Sequence, residues 1–421
     1  MRYKNTAINE LLDDNKITQE EYNILFEKLE YKDNFLAALK KVLLLFKKEK
    51  HIHLDHISFP NLPELSNFYS YIVNILGVHW SHNLREIGFW YCNFYSKIWI
   101  HEVFIKHHLH FGKATFHKKV TFNKSIFEKR IDFLETNFKE DIRFGGVKFK
   151  DEAHFWKSNA DKLIAFQSIT CSKIFSINKL GFQKIDMDNA RFKEVNFIDL
   201  VGRENNKDIS LNKTHFDNKE TTIILRTHLE KENYISEANK YFKIGQELYI
   251  DYLLEKDNTA PNRYSTLIVL YLNKFISNFG TDWIRPILVM FIFGFLASFL
   301  YIVFSNNPTL FISDKLSISK DDILFWTAGG FSLSIVMYLT YHYKSWGLLM
   351  LTILGYIGLI IFSQDSKLIT NDISKLINPL NIFKGKEYFE DIAPYGMMVK
   401  LIMATLIYQF IMAFRQNTRR K

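Results

Sequence analysis

Residues 111–166 read FGKATFHKKVTFNKSIFEKRIDFLETNFKEDIRFGGVKFKDEAHFWKSNADKLIAF, with phenylalanine at Phe111, Phe116, Phe122, Phe127, Phe133, Phe138, Phe144, Phe149, Phe155 and Phe166. The steps alternate five and six, so the true period is eleven, and Ala160 is the one expected position that is not aromatic. Lys, Glu, Asp, Asn and His fill most of the intervals. Neither the period of an α-helix nor that of a flat strand produces such steps. A coil that turns a corner after each short strand does, because every corner resets which side chain points inward. A fixed repeat of this kind specifies a solenoid, in which each unit buries its apolar face only against its neighbours.

Upstream, Phe89, Phe94, Trp99 and Phe104 follow at steps of five, which starts the coil near Arg85. His107 to His110 interrupt the spacing before the eleven-residue phase sets in. After Cys171 the steps relax to five, through Ile177, Phe182, Met187, Phe192 and Phe197. Two residues before most inward positions stands a small or β-branched residue, among them Ala114, Val120, Ser125, Ile131, Thr136, Ile142, Val147, Ala153 and Ala190. These predict a second, smaller inward layer. With two eleven-residue units per coil, Phe111, Phe133, Phe155 and Ile177 fall on one corner column, and Phe122, Phe144 and Phe166 on the opposite one. At roughly 4.8 Å per coil, the ~5 coils make a rod about 24 Å long.

Lys113-Ala114-Thr115-Phe116, Ser125-Ile126-Phe127, Asp132-Phe133, Glu152-Ala153-His154-Phe155 and Asn189-Ala190-Arg191-Phe192 resemble pentapeptide repeats of the five-plus-six variant. The resemblance implies a right-handed quadrilateral β-helix with four short sides per coil. Ile223 to Arg226 and Glu237 to Phe242 are similar to the helical linker of membrane-bound proteins of this family. Asn278 to Pro286 and the terminal Tyr408-Gln409-Phe410 with its basic tail resemble the same branch. The fold class expected is thus a pentapeptide-repeat solenoid with a helical N-cap, a helical linker and a C-terminal four-helix transmembrane domain.

The expected divisions are a helical capping region over 1–84, the β-helix over 85–202 and a loop with an amphipathic linker over 203–260. An interfacial helix over 261–283 and a membrane domain over 284–421 follow. Thr18 and Glu21 form a candidate helix cap, and apolar residues then recur at helical spacing as far as Phe46. Such helices would cover the open sheet edge of the first coil. Residues 203–220 read as a loop leaving the solenoid. Tyr234, Ala238, Tyr241, Phe242, Leu248, Tyr249 and Tyr252 then share one broad helical face up to the break at Pro261. Tyr264 to Phe279 alternates apolar and polar residues as a helix lying in a membrane interface does.

Residues 286–304, 323–341, 346–362 and 395–414 are four apolar runs close to the length a bilayer span needs. Arg285 precedes the first run and Arg415, Arg419, Arg420 and Lys421 follow the last, which puts both ends on the cytoplasmic side. Lys367, Lys375, Lys384 and Lys386 run against that asymmetry. Met1 to Asn5 lack the apolar run of a signal peptide, so the polar half is expected in the cytoplasm, at a bacterial inner membrane.

The chain has 421 residues and a formal net charge of +9. Its two cysteines, Cys92 and Cys171, form no CxxC pair and read as buried fillers. His51, His53 and Asp55 share one face of a strand, with His56 adjacent, a spacing that suits zinc as well as a solvated strand face. No second ligand cluster of matching spacing accompanies them, so no metal and no cofactor is assigned. His101, His107, His108, His110 and His117 form a looser group, read as a polar corner patch, with a metal or proton-sensing role as the alternative. Family members that protect DNA gyrase imitate DNA with an acidic surface. Between Phe111 and Leu200 this chain has 17 Lys and Arg against 12 Asp and Glu, which disfavours that role. Nucleic-acid binding is not expected, because the charges are interspersed. Lys400 and Gln409 are the polar residues of the last apolar run, Lys400 being placed to snorkel to the interface. No P-loop, GxSxG, HExxH or dinucleotide fingerprint is present, so no catalytic residue is named. The sequence reading is a non-enzymatic interaction scaffold on a lipid bilayer, with an unidentified protein partner and homo-oligomerisation open. The alternative is a channel or transporter with a β-helical regulatory domain.

Overall fold

The computed structural model describes residues 6–26, 32–47, 49–76, 84–204, 207–255, 262–304, 329, 331–339, 341 and 393–418. The chain divides into two units, Met1–His228 and Leu229–Lys421.

Unit one opens with helices Thr6–Asp13 (α1), Gln19–Phe26 (α2) and Lys32–Leu45 (α3). Thr18 and Glu21 close a capping box. The Glu21 amide donates to Thr18 Oγ1 at 3.1 Å, and the Thr18 amide to Glu21 Oε2 at 2.7 Å. Phe35 of α3 meets Phe59 edge-on, with ring centroids 5.8 Å apart, so α3 lies against the first coil.

The ladder begins earlier than the aromatic spacing predicts. Strands His51–His53 (β1) and Ser58–Phe59 (β2) pair in parallel with Glu86–Gly88 (β3) and Asn93–Phe94 (β4). Ile52 lies opposite Ile87 and Phe59 opposite Phe94, an offset of 35 residues. A 3₁₀ turn, Pro63–Asn67, and helix Phe68–Leu76 (α4) are inserted into this coil and lengthen it. From there to His154 each coil holds four short strands, such as His108–His110, Thr115–Phe116, Val120–Asn123 and Ile126–Phe127. Ile131 pairs with Ala153, Asn137 with Asn159, Ile142 with Ile164 and Lys148 with Thr170, a constant offset of 22. The result is a β-solenoid of about five turns, its strands arranged in a 10-stranded and an 11-stranded sheet.

The core consists of columns. Phe89, Phe111, Phe133 and Phe155 stack at centroid distances of 5.1, 5.1 and 4.9 Å. Phe59, Phe94, Phe116 and Phe138 form the next column, at 4.7, 4.6 and 5.2 Å, and Ala160 lies at its end, paired with Phe138. Phe122 stacks on Phe144 and Phe144 on Phe166, while Phe127 stacks on Phe149. Trp99 and Phe104, taken from sequence as inward, are instead 56% and 41% exposed. Ile100 and Ile105 are the buried residues there, and Ile100 pairs with Phe122 and Ile105 with Phe127. The eleven-residue phase therefore runs unbroken from Phe89, with isoleucine in place of phenylalanine for half a coil.

Corners recur with the same regularity. Tyr91, Glu102, Lys113, Lys124, Glu135, Gly146, Lys157, Ser168 and Lys179 all have positive φ, one every eleven residues. Only Gly146 among them avoids the ~1–2 kcal/mol that the left-handed region costs an L-residue. Inside the corners the small second-layer residues are buried, apart from half-buried Ala190, and the hydroxylated ones occupy backbone acceptors. Thr136 Oγ1 donates to the Phe111 carbonyl at 2.6 Å, Ser158 Oγ to that of Phe133, and Ser125 Oγ to that of Asn123 at 3.2 Å.

The C-terminal end of the ladder is covered. Residues 203–220, expected as a departing loop, contain strand Lys207–Ile209, which pairs antiparallel with Val201–Glu204. Phe216 bridges to Ile185, and the Met187 amide donates to Thr221 Oγ1 at 2.8 Å in the first turn of helix Lys219–Lys231 (α5). A backbone reversal at Asn233 ends that helix, so the expected continuous linker is two helices.

Unit two comprises helices Ile235–Leu254 (α6), Arg263–Ser277 (α7), Ile284–Phe304 (α8) and Ala393–Thr418 (α9), with helical residues at 331–339. Tyr234 and Tyr252 of the predicted apolar face are exposed, and Ala238, Tyr241, Ile244, Ile250 and Leu253 form the buried one. Ile250 and Leu253 pack with Leu267, Leu270 and Phe279, and Val289 and Ala297 of α8 with Val399, Met403 and Leu406 of α9. Asp282 caps α8, accepting from the Ile284 amide at 3.1 Å and the Tyr341 hydroxyl at 2.8 Å. Among the described residues one helical stretch, Met398–Arg415, is long and apolar enough to cross a membrane, and Ile284–Gly294 is a shorter apolar one. The expected span over 346–362 lies outside the described residues, and that over 323–341 is described only at 329, 331–339 and 341.

Candidate interaction face

The register of 22, with 35 in the first coil, sorts the histidines by side of the solenoid. His51, Glu86 and His108 share one outward row of the first sheet, and His53, Gly88 and His110 the neighbouring row. Asp132 and His154 continue the second row, His110 pairing with Asp132 and Asp132 with His154. Residues from the two sequence clusters thus meet on one face. Gly88 leaves the space this requires, since a Cβ there would lie 2.7 Å from His53 Nδ1.

Side chains on this face form a chain from coil to coil. His51 Nδ1 lies 3.2 Å from Glu86 Oε2, and His110 Nε2 lies 3.5 Å from Glu86 Oε1. His110 Nδ1 is 2.8 Å from Asp132 Oδ2. Arg130 Nε donates to both Asp132 oxygens, at 2.8 and 2.9 Å, and its Nη1 lies 3.5 Å from Glu152 Oε2. His154 Nε2 closes the chain 3.1 Å from Glu152 Oε2. Burial works to raise the Asp132 carboxyl, but the hydrogen bonds from His110 and Arg130 outweigh it and hold the group below the usual carboxylate range. Burial, with His110 adding to it, lowers His108. Among the described residues no three His, Cys, Asp or Glu side chains are grouped to hold a metal ion.

The remaining sequence candidates are dispersed. Asp55 accepts from the Trp90 amide at 2.9 Å, and burial raises its carboxyl. His56 stacks on Tyr91 at 4.7 Å and His117 on Tyr95 at 4.2 Å. His101 sits on another side, 3.3 Å from Glu102. His107 is buried 2.9 Å from the Tyr69 hydroxyl, fastening α4 to the coil, and burial pushes Tyr69 up to about 12. Both cysteines are buried, and burial raises Cys171 to about 11. Phe192 of the phenylalanine set is half-buried, whereas Phe182 and Phe197 are buried. Lys400, read as able to snorkel, is 1% exposed, and Gln409 is half-buried.

Sequence reasoning missed Glu86, Arg130, Asp132, Glu152 and His154. A spacing of 22 from His108 and His110 leads to all five, once outward as well as inward residues are placed on the coil. It also missed a second surface feature. Exposed Phe104 carries Lys106 and Lys150 over its ring, at 5.7 and 5.1 Å, with exposed Trp99 before it in the chain.

No curated protein and no solved structure matches the chain. The core of the solenoid, residues 111–159, matches the family model described as pentapeptide repeats (9 copies), so this stretch of the coil is a run of pentapeptide repeats.

Proposed function

We propose that the chain is a non-enzymatic interaction scaffold whose solenoid is held at a lipid bilayer by the helices of unit two. The reading is carried by the amount of large apolar surface that unit two leaves open. Phe291, Met398, Leu401, Tyr408, Ile411 and Phe414 are exposed on α8 and α9. Tyr264, Ile268, Tyr271, Leu272 and Phe275 line a shallow groove of about 450 Å³ on α7. Apolar patches of this kind are rare on proteins surrounded by water and match the surface of a bilayer and its interface. In this reading α7 lies in the interface, four spans cross a bacterial inner membrane, and both termini face the cytoplasm. The solenoid offers a protein partner rows of outward side chains at a fixed spacing.

Alkaline carbonate extraction of membranes tests the anchor. The full chain stays in the pellet, and release into the supernatant overturns the reading. Photo-crosslinkers at Trp99 and at Glu152 test the scaffold, with a discrete adduct to one protein expected at one of them. Selective ion flux through liposomes carrying the purified chain would replace the scaffold with a channel.

A further inference from the structure

Phe104–Ile105, Ile126–Phe127, Lys148–Phe149 and the first residues of Thr170–Ser176 and Arg191–Asn196 build a different side of the solenoid from the histidine face. They pair in that order, so Phe104, Ile126, Lys148, Thr170 and Arg191 make one outward row, one residue per coil. Lys106, Glu128 and Lys150, each following a buried position, make a second row beside it. Along the first row apolar and cationic residues are segregated. Phe104 is exposed with half-buried Ile126 next to it, and beyond them Lys148 and Arg191 are exposed.

Positive charge on this side is left over within the chain. Among the described residues none of Lys106, Lys148, Lys150 and Arg191 forms an ion pair, whereas elsewhere on the solenoid Lys113, Lys139, Arg143 and Lys162 each hold a carboxylate. Asp151, at the edge of the second row, is taken by Lys173. Four exposed cations therefore share the single carboxylate of Glu128. Lys106 and Lys150 flank Glu128 in the row, yet both ammonium groups lie over the Phe104 ring, at 5.7 and 5.1 Å from its centroid. A ring holds an ammonium group in place without neutralising it. The two lysines thus stand ready for an anion, while a ring so covered is not offered to a nucleic-acid base, which binds by stacking on an open aromatic face.

We propose that this side is the docking surface for an extended acidic segment of a protein partner. The segment lies along the rod, with an apolar side chain over Phe104 and Ile126 and carboxylates on Lys106, Lys148, Lys150 and Arg191. Lys106 and Lys150 are two coils apart, as are Lys148 and Arg191, a separation of roughly 10 Å. Three residues of extended chain cover about the same length. Carboxylates at every third position of the segment therefore meet successive cations. The inference rests on the scaffold reading and gives the partner its chemistry.

Fluorescence anisotropy tests this, with the full-length chain in non-ionic detergent and a labelled peptide carrying one Leu followed by Glu at every third position. Binding is expected to weaken at least about tenfold when Lys106→Gln, Lys148→Gln and Lys150→Gln are combined. Lys113→Gln, Lys139→Gln and Lys162→Gln together remove the same charge elsewhere and should change it less than about twofold. The first three lysines hold no ion pair of the fold, so their loss leaves the solenoid intact, which circular dichroism checks. Exchanging the peptide Leu for Ser weakens binding several-fold in the wild type but not in Phe104→Ser, a coupling that net charge alone does not produce. No binding, or equal losses in the two triple variants, overturns the proposal. So does a single-stranded oligonucleotide, or phosphatidylserine added to the micelles, that displaces the peptide at lower concentration through the same lysines. Carbonate extraction and the crosslinks at Glu152, on another side, test the scaffold separately, so a failure here leaves that reading standing.

Discussion

The coils before Ala160 and those after Cys171 are the same solenoid built two ways. In the first set the register is 22 beyond the first coil, corners fall between strands of two to four residues, and rings in a column lie within 5–24° of parallel. In the second set the offset drops to 21 after Ala160 and to 20 after Cys171. Strands there lengthen to six or seven residues, as in Asn159–Ala165 and Gly181–Asp186. Left-handed corners persist at Asn189 and Asp199, so the lost residues come from the other, six-residue corners. Parallel stacking lapses with them. Phe175 meets Phe149, Phe155 and Phe192 at 46, 48 and 34°. Phe175 pairs with Ala153 of the smaller layer, and the columns themselves pass to Ile177 and Met187 where the coil shortens.

Substitutions can test that contrast. Phe133→Ala, in the middle of an unbroken stack, should lower unfolding free energy by ~3–5 kcal/mol, and Phe192→Ala, half-buried, by ~1–2 kcal/mol, measured by urea unfolding of the full chain. Equal losses would mean that a ring in the regular stack costs no more to remove than a half-buried ring outside it. Thr136→Val keeps the shape but removes one of the two donors to the Phe111 carbonyl, the Ala114 amide remaining at 3.1 Å, for a loss of ~0.5–1.5 kcal/mol in the same measurement. Gly146→Ala should cost about 1 kcal/mol, since it forces a side chain into the left-handed region, while Lys124→Gly one coil earlier should gain less than that. Asp132 gives a pH-dependent contrast. Its folded carboxyl is held down, so the stability it adds is present above the ordinary Asp range and is lost as pH falls through the lower folded value. Asp132→Asn should flatten the acid limb of a pH–melting curve. The smallest effect belongs to Lys139→Ala, which breaks an exposed pair with Asp161 and should stay within ~0.5 kcal/mol.

The repeat was legible from phenylalanine alone because a ring is large enough to fill a corner and rarely stands elsewhere at that spacing. The same rule misled at Trp99 and Phe104, where aromatics face outward and Ile100 and Ile105 fill the columns. Apolar volume marks an inward position, and aromaticity is only its commonest carrier. The first coil was hidden for another reason. Helix α4, inserted between Phe59 and Phe89, stretches the offset to 35, and no local pattern in sequence reveals that two short strands close over such an insert. The histidine face was half visible. His51, His53, His108 and His110 drew attention by type, whereas Glu86, Asp132 and Arg130 look like ordinary surface charge until the register stacks them.

A ladder with constant offset has a mechanical signature. Pulled from its two ends, a solenoid of this kind surrenders one winding at a time, since each is held only by its neighbours. A winding of 22 residues lengthens the chain by roughly 75 Å when extended, and the first, at 35, by roughly 120 Å. A force–extension trace of the full chain would therefore show a staircase, with one tall step marking where α4 was spliced in.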